Sequence, residues 1–241
     1  MRENRYKITT FLKEFIRPLY NKFADKYATE LGYWKKVYIK EGNSFSNSFY
    51  EKIFLNLAQE SDDKFLSNKV VADFGCGPRG SLKWIKSTDT KIGIDVLADQ
   101  YLNLFGASML THNMIYLKST EKTIPLPTEY VDVMFTLNAL DHVDNFPRMC
   151  NEIIRVLKVG GVFYGSFNLE EKATSAEPQQ LTEKIISRYL LDKFEIVTYR
   201  VTNKGPQGEL FKHLYENILH YDKGEEGILW VKAIKKLKTD S

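Results

Sequence analysis

Three glycines, Gly75, Gly77 and Gly80, stand at G-x-G-x-x-G spacing, directly after the apolar run Val70-Val71-Ala72 and one acid, Asp73. Glycines in such a loop let the backbone turn tightly and approach a ligand without Cβ clashes. Loops of this kind commonly cradle a pyrophosphate at a helix start. Asp73 argues against that here, because a carboxylate at the strand end repels phosphate and favours a ligand carrying positive charge. A second acid, Asp95, lies 22 residues beyond Asp73 and closes another apolar run. An acid at about that distance can accept both ribose hydroxyls of a nucleoside, whichever cofactor carries it. Val96 follows and can pack against a purine face. Further on, Asp141 and His142 adjoin. Histidine titrates near neutrality and a neighbouring carboxylate tunes it, so this pair is the candidate for moving a proton. A strand-end histidine bonded to backbone is the competing reading.

The segment Asp73-Phe74-Gly75-Cys76-Gly77-Pro78 resembles the D-x-G-x-G-x signature of class I methyltransferases that use S-adenosylmethionine (SAM). SAM presents an ammonium and a sulfonium rather than a phosphate, in keeping with Asp73. Two more stretches are similar to the small-molecule branch of that family. Tyr130 to Val143 resembles its F-D-x-V-x-x-x-x-x-L-x-H-V segment, and Leu157-Lys158-Val159-Gly160-Gly161 resembles its L-K-P-G-G, so the likeness spans about residues 69–167. The resemblance implies a cofactor site at Asp73, Gly75, Cys76, Gly77, Pro78, Gly80, Asp95 and Val96, with Leu137 and Asn138 beside the methionine end or the acceptor. It places the adenine contact after the third strand, where the usual G-D-A-x-x-L-P is absent and Thr120 and Glu121 occupy the region. The N-P-P-[YF] motif of amide- and adenine-modifying members is replaced by Asn138-Ala139-Leu140-Asp141, which argues against DNA adenine and protein glutamine targets.

The composition excludes other classes. The chain has 241 residues, 43% hydrophobic and 27% charged, as expected of one ordinary α/β domain. A net charge of +3, with basic and acidic residues interspersed, is too mild for a nucleic-acid surface. The charged N-terminal stretch has no signal-peptide core, and no apolar run reaches membrane-spanning length. The two cysteines, Cys76 and Cys150, have no C-x-x-C spacing. Neither a zinc site nor a disulfide framework is expected, and a cytoplasmic location is. No His/Asp/Glu grouping has convincing metal spacing.

The elements that must position these residues follow from periodicity. Residues 1–66 read as a helical leader. Phe11, Leu12, Phe15, Ile16, Leu19, Tyr20 and Phe23 form an amphipathic stripe, Tyr27, Leu31, Tyr33, Trp34 and Tyr38 an aromatic cluster, and Phe49 to Ala58 a further helix. Such a leader is either a layer packed on the sheet or a lid over the pocket. Residues 67–241 form the core. Strands are expected at 69–74, 91–94, 114–117, 131–137, 161–166, 194–201 and 227–234, and helices at about 81–86, 98–105, 146–157 and 181–191. Gly160-Gly161 reads as the stop of the helix before it. An insertion at about 203–226 precedes the last strand.

This pattern is α/β. The resemblance implies a Rossmann-like three-layer sandwich on a mainly parallel seven-stranded sheet whose last strand is antiparallel. The expected activity is transfer of a methyl group from SAM to O or N of a small molecule, a metabolite, natural product or sugar. The pocket would be walled by the leader, residues 138–142, the Asn168 region and the insertion. An NAD(P)-dependent oxidoreductase is the alternative enzyme, and a non-catalytic SAM-fold binding protein the alternative of another class. Neither the acceptor nor the oligomeric state is written in these residues.

Overall fold

A computed structural model describes residues 26–206 and 209–237. The expected stripe between Phe11 and Phe23 lies outside the described residues. Seven strands form one sheet: β1 Val71–Phe74, β2 Lys91–Asp95, β3 Ile115–Lys118, β4 Val131–Leu137, β5 Leu157–Leu169, β6 Phe194–Asn203 and β7 Gly227–Lys235. Their order is β3-β2-β1-β4-β5-β7-β6, with β7 antiparallel to both its neighbours and all other pairs parallel. The chain steps outward from β1 on one side to β2 and β3, then returns to β4 on the other. Ligands of open α/β sheets bind at the carboxyl ends of strands flanking such a reversal. Register fixes which residues stand there. Phe74 pairs with Ile94, so Asp95 lies beside the first glycine of the loop.

The four residues of β1 and five of β2 are all buried, as in a strand covered on both faces. Alternation then assigns each side chain to a layer. Ala72 and Phe74 pack with Phe146, Ile153 and Ile186, from α4 (Phe146–Val156) and α5 (Glu183–Tyr189). Val71 packs on the other face with Phe54, Leu57, Phe135 and Trp230, under α2 (Phe49–Ala58) and a short α6 (Lys212–Tyr215). A third cluster joins α1 (Lys26–Lys40) to α3 (Ala98–Met109) through Trp34, Tyr38, Phe45, Tyr101 and Phe105.

Two expectations fail locally. Residues 81–86 are not a helix; the chain makes tight turns, with Lys83 N donating to Gly80 O and Ile85 N to Leu82 O. Leu82 and Ile85 are both fully buried, and Lys91 Nζ donates to Ile85 O at 3.0 Å. So few residues before β2 leave no room for a helix antiparallel to the strands, and the chain returns by burying two apolar anchors. Gly160-Gly161 likewise does not stop a helix. α4 ends at Val156 and β5 begins at once, with the glycines inside it. Val131 pairs with Leu157 and Val133 with Val162, so β5 loops outward there, and Gly160 (φ +74°) makes the turn. The start of α4 follows rule: Asn145 accepts from Arg148 N at 3.0 Å and Pro147 sits in the first turn.

Candidate cofactor and acceptor site

The glycine loop folds back against β2, with Gly75 N and Cys76 N donating to Ile94 O at 2.8 and 3.3 Å. Two glycines are obligatory for separate reasons. Gly75 has φ +73°, and a Cβ on it would lie 2.2 Å from the Cβ of Ala139, where β4 delivers its loop. Gly80 has φ +79°, and a Cβ would meet the His112 ring at 2.5 Å. His112 is buried and bonded to Tyr116 Oη at 2.6 Å; burial drives its pKa down to about 4, so it is neutral packing beneath the loop. Gly77 faces upward, with Trp34 of α1 3.1 Å from where its Cβ would be.

Asp95 is 9% exposed and ties β2 to this loop. One carboxylate oxygen accepts from Gly77 N at 3.0 Å and the other from Leu97 N at 2.9 Å. Burial raises its pKa, the two N–H donors lower it, and burial wins, leaving it at about 6. Asp73 points to the α2 side of the sheet, accepts from Ser81 Oγ at 2.5 Å, and is pushed by burial up to about 7. It supports the loop from beneath.

Above the carboxyl ends of β1, β2 and β4 lies a cavity of about 440 Å³, a size typical of small-molecule sites. Its floor includes Gly75, Cys76, Gly77, Asp95, Val96 and Leu97; one wall has Ser119, Thr120 and Glu121, and the opposite wall Leu137, Asn138, Ala139 and His142. The roof is one face of α1: Lys26, Tyr27, Glu30, Tyr33 and Trp34 recur at helical spacing along it. Of the residues expected at the site, Asp73, Pro78, Gly80 and Asp141 do not line the cavity. The 203–226 insertion and Asn168, expected as walls, do not line it either. Leu214 and Phe211 of the insertion pack instead with Trp230 on the α2 side, and Asn168 Nδ2 donates to Asp141 at 3.2 Å.

The roof is held at both ends. Lys26 Nζ donates to Glu121 at 2.7 Å, to Asp144 at 2.7 Å and to His142 O at 2.9 Å, and Tyr27 Oη donates to Glu121 at 2.6 Å. Burial raises the Glu121 carboxyl, but the bonds from Lys26, Tyr27 and Asp144 N outweigh it and hold it below its ordinary range. Glu121 is thus a strut for the roof. Thr120 accepts from Lys122 N and Thr123 N, so its hydroxyl closes its own turn. At the far end Arg79, inside the glycine loop, donates to Glu41 and to Ser46 O, both at 2.5 Å, beneath the rings of Trp34, Phe45 and Phe49.

Asn138 follows β4 in the left-handed region (φ +45°), with its N–H donating to Ser166 O and its side-chain oxygen accepting from Ser166 Oγ at 2.8 Å. That turn brings His142 to the cavity mouth. His142 Nε2 lies 3.6 Å from Glu177 Oε1 and 3.9 Å from Asp141 Oδ1. Asp141 is 4% exposed, and its Oδ1 has no hydrogen-bond partner. Burial lifts its carboxyl to about 6, against the opposing pull of His142. Sequence reasoning missed Lys26, Glu30, Ser119, Tyr101 and Glu177. Glu30 carries a signal, since it stands four residues before Trp34 and accepts from its indole at 2.7 Å; Glu177 lies in an irregular segment without one.

The donor set fits SAM: a buried strand-end carboxylate, glycines that no Cβ could replace, and aromatic rings above. Among the described residues no group of three or more His, Cys, Asp or Glu is placed to hold a metal, and no helix is long and apolar enough to cross a membrane.

Comparison with known proteins agrees. Residues 72–165 match the model of a methyltransferase domain. No curated protein matches the sequence. Among solved structures, an S-adenosylmethionine-dependent methyltransferase from Mesorhizobium loti is 16% identical, with a TM-score of 0.51 over 74% of this chain and 95% of that one. Geranyl diphosphate C-methyltransferase from Streptomyces coelicolor, solved with S-adenosyl-L-homocysteine, is 15% identical, with a TM-score of 0.54 over 77% and 76%. The [4+2]-cyclase SpnF is 17% identical, with a TM-score of 0.56 over 78% and 81%. One fold thus carries different chemistries, and the site must decide between them.

Proposed function

We propose that this chain, whose residues 72–165 match a methyltransferase domain, is a class I SAM-dependent methyltransferase that methylates O or N of a small molecule received beneath α1. The observation that carries this is the roofed cavity, with Asp95 on its floor and His142 at its mouth. Bound SAM supplies an electrophilic methyl group on a sulfonium. Asp95 would hold the ribose hydroxyls, using the carboxylate lone pairs that Gly77 N and Leu97 N leave open. Val96 and Leu97 would pack on adenine. Since Glu121 is engaged by Lys26 and Tyr27, and the Thr120 hydroxyl by its own turn, the adenine edge falls to Ser119. Leu137, Asn138 and the 75–77 backbone would flank the methionine end.

His142 is the base. Its imidazole takes the proton of the acceptor hydroxyl or amine, and Asp141 and Glu177 stabilise the imidazolium that results. The roof excludes water and aligns the partners, which supplies most of the rate. A chamber closed by one helix suits a metabolite-sized acceptor rather than a duplex or a membrane surface.

The test is calorimetric titration with SAM, S-adenosylhomocysteine and NAD in parallel, followed by an acceptor screen. Binding of the first two and not of NAD is expected. His142→Ala is expected to keep SAM affinity and to lose about 10²–10⁴-fold in turnover; equal turnover removes the base, and NAD binding alone removes the whole reading.

A further inference from the structure

The charges around the cavity are unbalanced. Four carboxylates line it, from Glu30, Asp95, Glu121 and Glu177, against one ammonium, Lys26. Lys26 is engaged by Glu121, Asp144 and a backbone carbonyl, and no arginine lines the cavity among the described residues. An acceptor bearing phosphate or carboxylate finds no cation to receive it. The mouth has the same surplus. Glu177 Oε1 and Asp141 Oδ1 converge on a single ring nitrogen, Nε2 of His142, and neither is within hydrogen-bonding distance of it. Asp141 is 96% out of solvent, since its exposure is 4%, yet that oxygen has no partner. A buried acceptor atom without a donor is costly, so the carboxylates beside His142 are short of donors. A hydroxyl brings one donor; an ammonium brings three and the complementary charge. Tyr33, on the roof, adds an aromatic ring of the kind that attracts a cation.

We infer that the acceptor is an amine that arrives protonated, is received by Glu177 at the cavity mouth, and gives one proton to His142 before its nitrogen is methylated. This rests on the methyltransferase reading and narrows it. The proton passes from the ammonium nitrogen to Nε2 and then from the imidazolium to solvent; the freed nitrogen lone pair forms the new N–C bond as the methyl–sulfur bond of the donor breaks, its electron pair staying on sulfur as a neutral thioether. The same carboxylate chemistry would also suit the ammonium of SAM itself, so the test must separate the two sources.

Three probes share an aromatic body: phenethylamine, 2-phenylethanol and phenylacetate. Their affinities for the full chain, free and loaded with S-adenosylhomocysteine, are compared by ligand-observed NMR. Phenethylamine is expected to bind about tenfold or more tightly than either of the others, as a charge-assisted contact requires. Glu177→Gln is expected to abolish that preference and Glu177→Asp to restore part of it, with S-adenosylhomocysteine affinity unchanged in both. Equal binding of alcohol and amine, stronger binding of phenylacetate, or no binding of phenethylamine overturns the inference. Weaker S-adenosylhomocysteine binding by Glu177→Gln also overturns it, assigning Glu177 to the cofactor. Failure of the parent chain to bind S-adenosylhomocysteine strikes the methyltransferase reading instead, and the probe comparison on the free chain remains legible.

Discussion

Replacing Asp95 by asparagine keeps the shape of the side chain and removes its charge. In the parent both oxygens are anchored, one to Gly77 N at 3.0 Å and one to Leu97 N at 2.9 Å. The remaining lone pairs face the cavity. An asparagine amide has one oxygen, so one backbone N–H must then face an NH2 group. An unsatisfied buried donor costs about 1–3 kcal/mol of stability. Binding suffers separately. A ribose hydroxyl donating to a charged acceptor is worth about 1.5–3 kcal/mol, so losing one such bond weakens S-adenosylhomocysteine by about 10- to 150-fold. The assay is calorimetry at pH 8, where the parent carboxyl, with its pKa of about 6, is ionised. Below that value the parent must release a proton to bind, so its affinity falls by about tenfold per pH unit, while the asparagine variant stays flat. A variant that binds as tightly as the parent at pH 8, with its fold intact, refutes the ribose assignment. Parallel pH profiles refute the role of the charge.

Other predictions follow from the struts and the buried acids. Lys26→Met leaves Glu121 without its ammonium partner; stability should fall by about 1–2 kcal/mol, read as a lower Tm with earlier proteolysis in α1, and an unchanged Tm would mean the roof is held without it. Gly42 and Gly75 share φ near +75°, but a Cβ on Gly42 meets nothing within 4 Å. Gly42→Ala should therefore cost only the backbone strain of about 1–2 kcal/mol, while Gly75→Ala adds overpacking of about 1–3 kcal/mol against Ala139; equal losses in denaturant titration would contradict this geometry. Asp73, Asp95 and Asp141 all have folded pKa values raised by burial, to about 7, 6 and 6. The folded state then holds more protons than the unfolded one between about pH 4 and 7, so their contribution is fully present below pH 4 and is lost as pH rises through 6 and 7. The cofactor-free chain should melt lower at pH 8 than at pH 5.5, and a rising Tm across that interval would refute the burial of these acids.

Much of the sheet was legible because its signals are local. Apolar runs ending on Asp73, Asp95 and Leu137 mark β1, β2 and β4, and those strand ends are where the cavity opens. The residues that could not be read are those whose partners lie far away in sequence. Glu121 stands where an adenine ligand is expected, but Lys26, 95 residues upstream, engages it. Helical spacing around 81–86 was outweighed by the burial of Leu82 and Ile85 in a short return to β2. Glu177 reaches the mouth from a loop whose path depends on Gln179, which donates to Val143 O and Asp144 O at 2.9 and 3.2 Å. No periodicity records such a path.

The grip on Arg79 bears on how far the roof and the glycine loop can be altered independently. Its guanidinium leaves the glycine loop and is enclosed by Glu41, Ser46 and three rings that precede β1. Exchange of the segment before residue 67 for that of another methyltransferase would strand this cation against the incoming helix unless the graft brought its own carboxylate and carbonyl. The roof therefore cannot be traded as a free-standing module. A change in the residues that enclose Arg79 is therefore felt at position 79, which ties the roof of the cavity to the glycine loop beneath it.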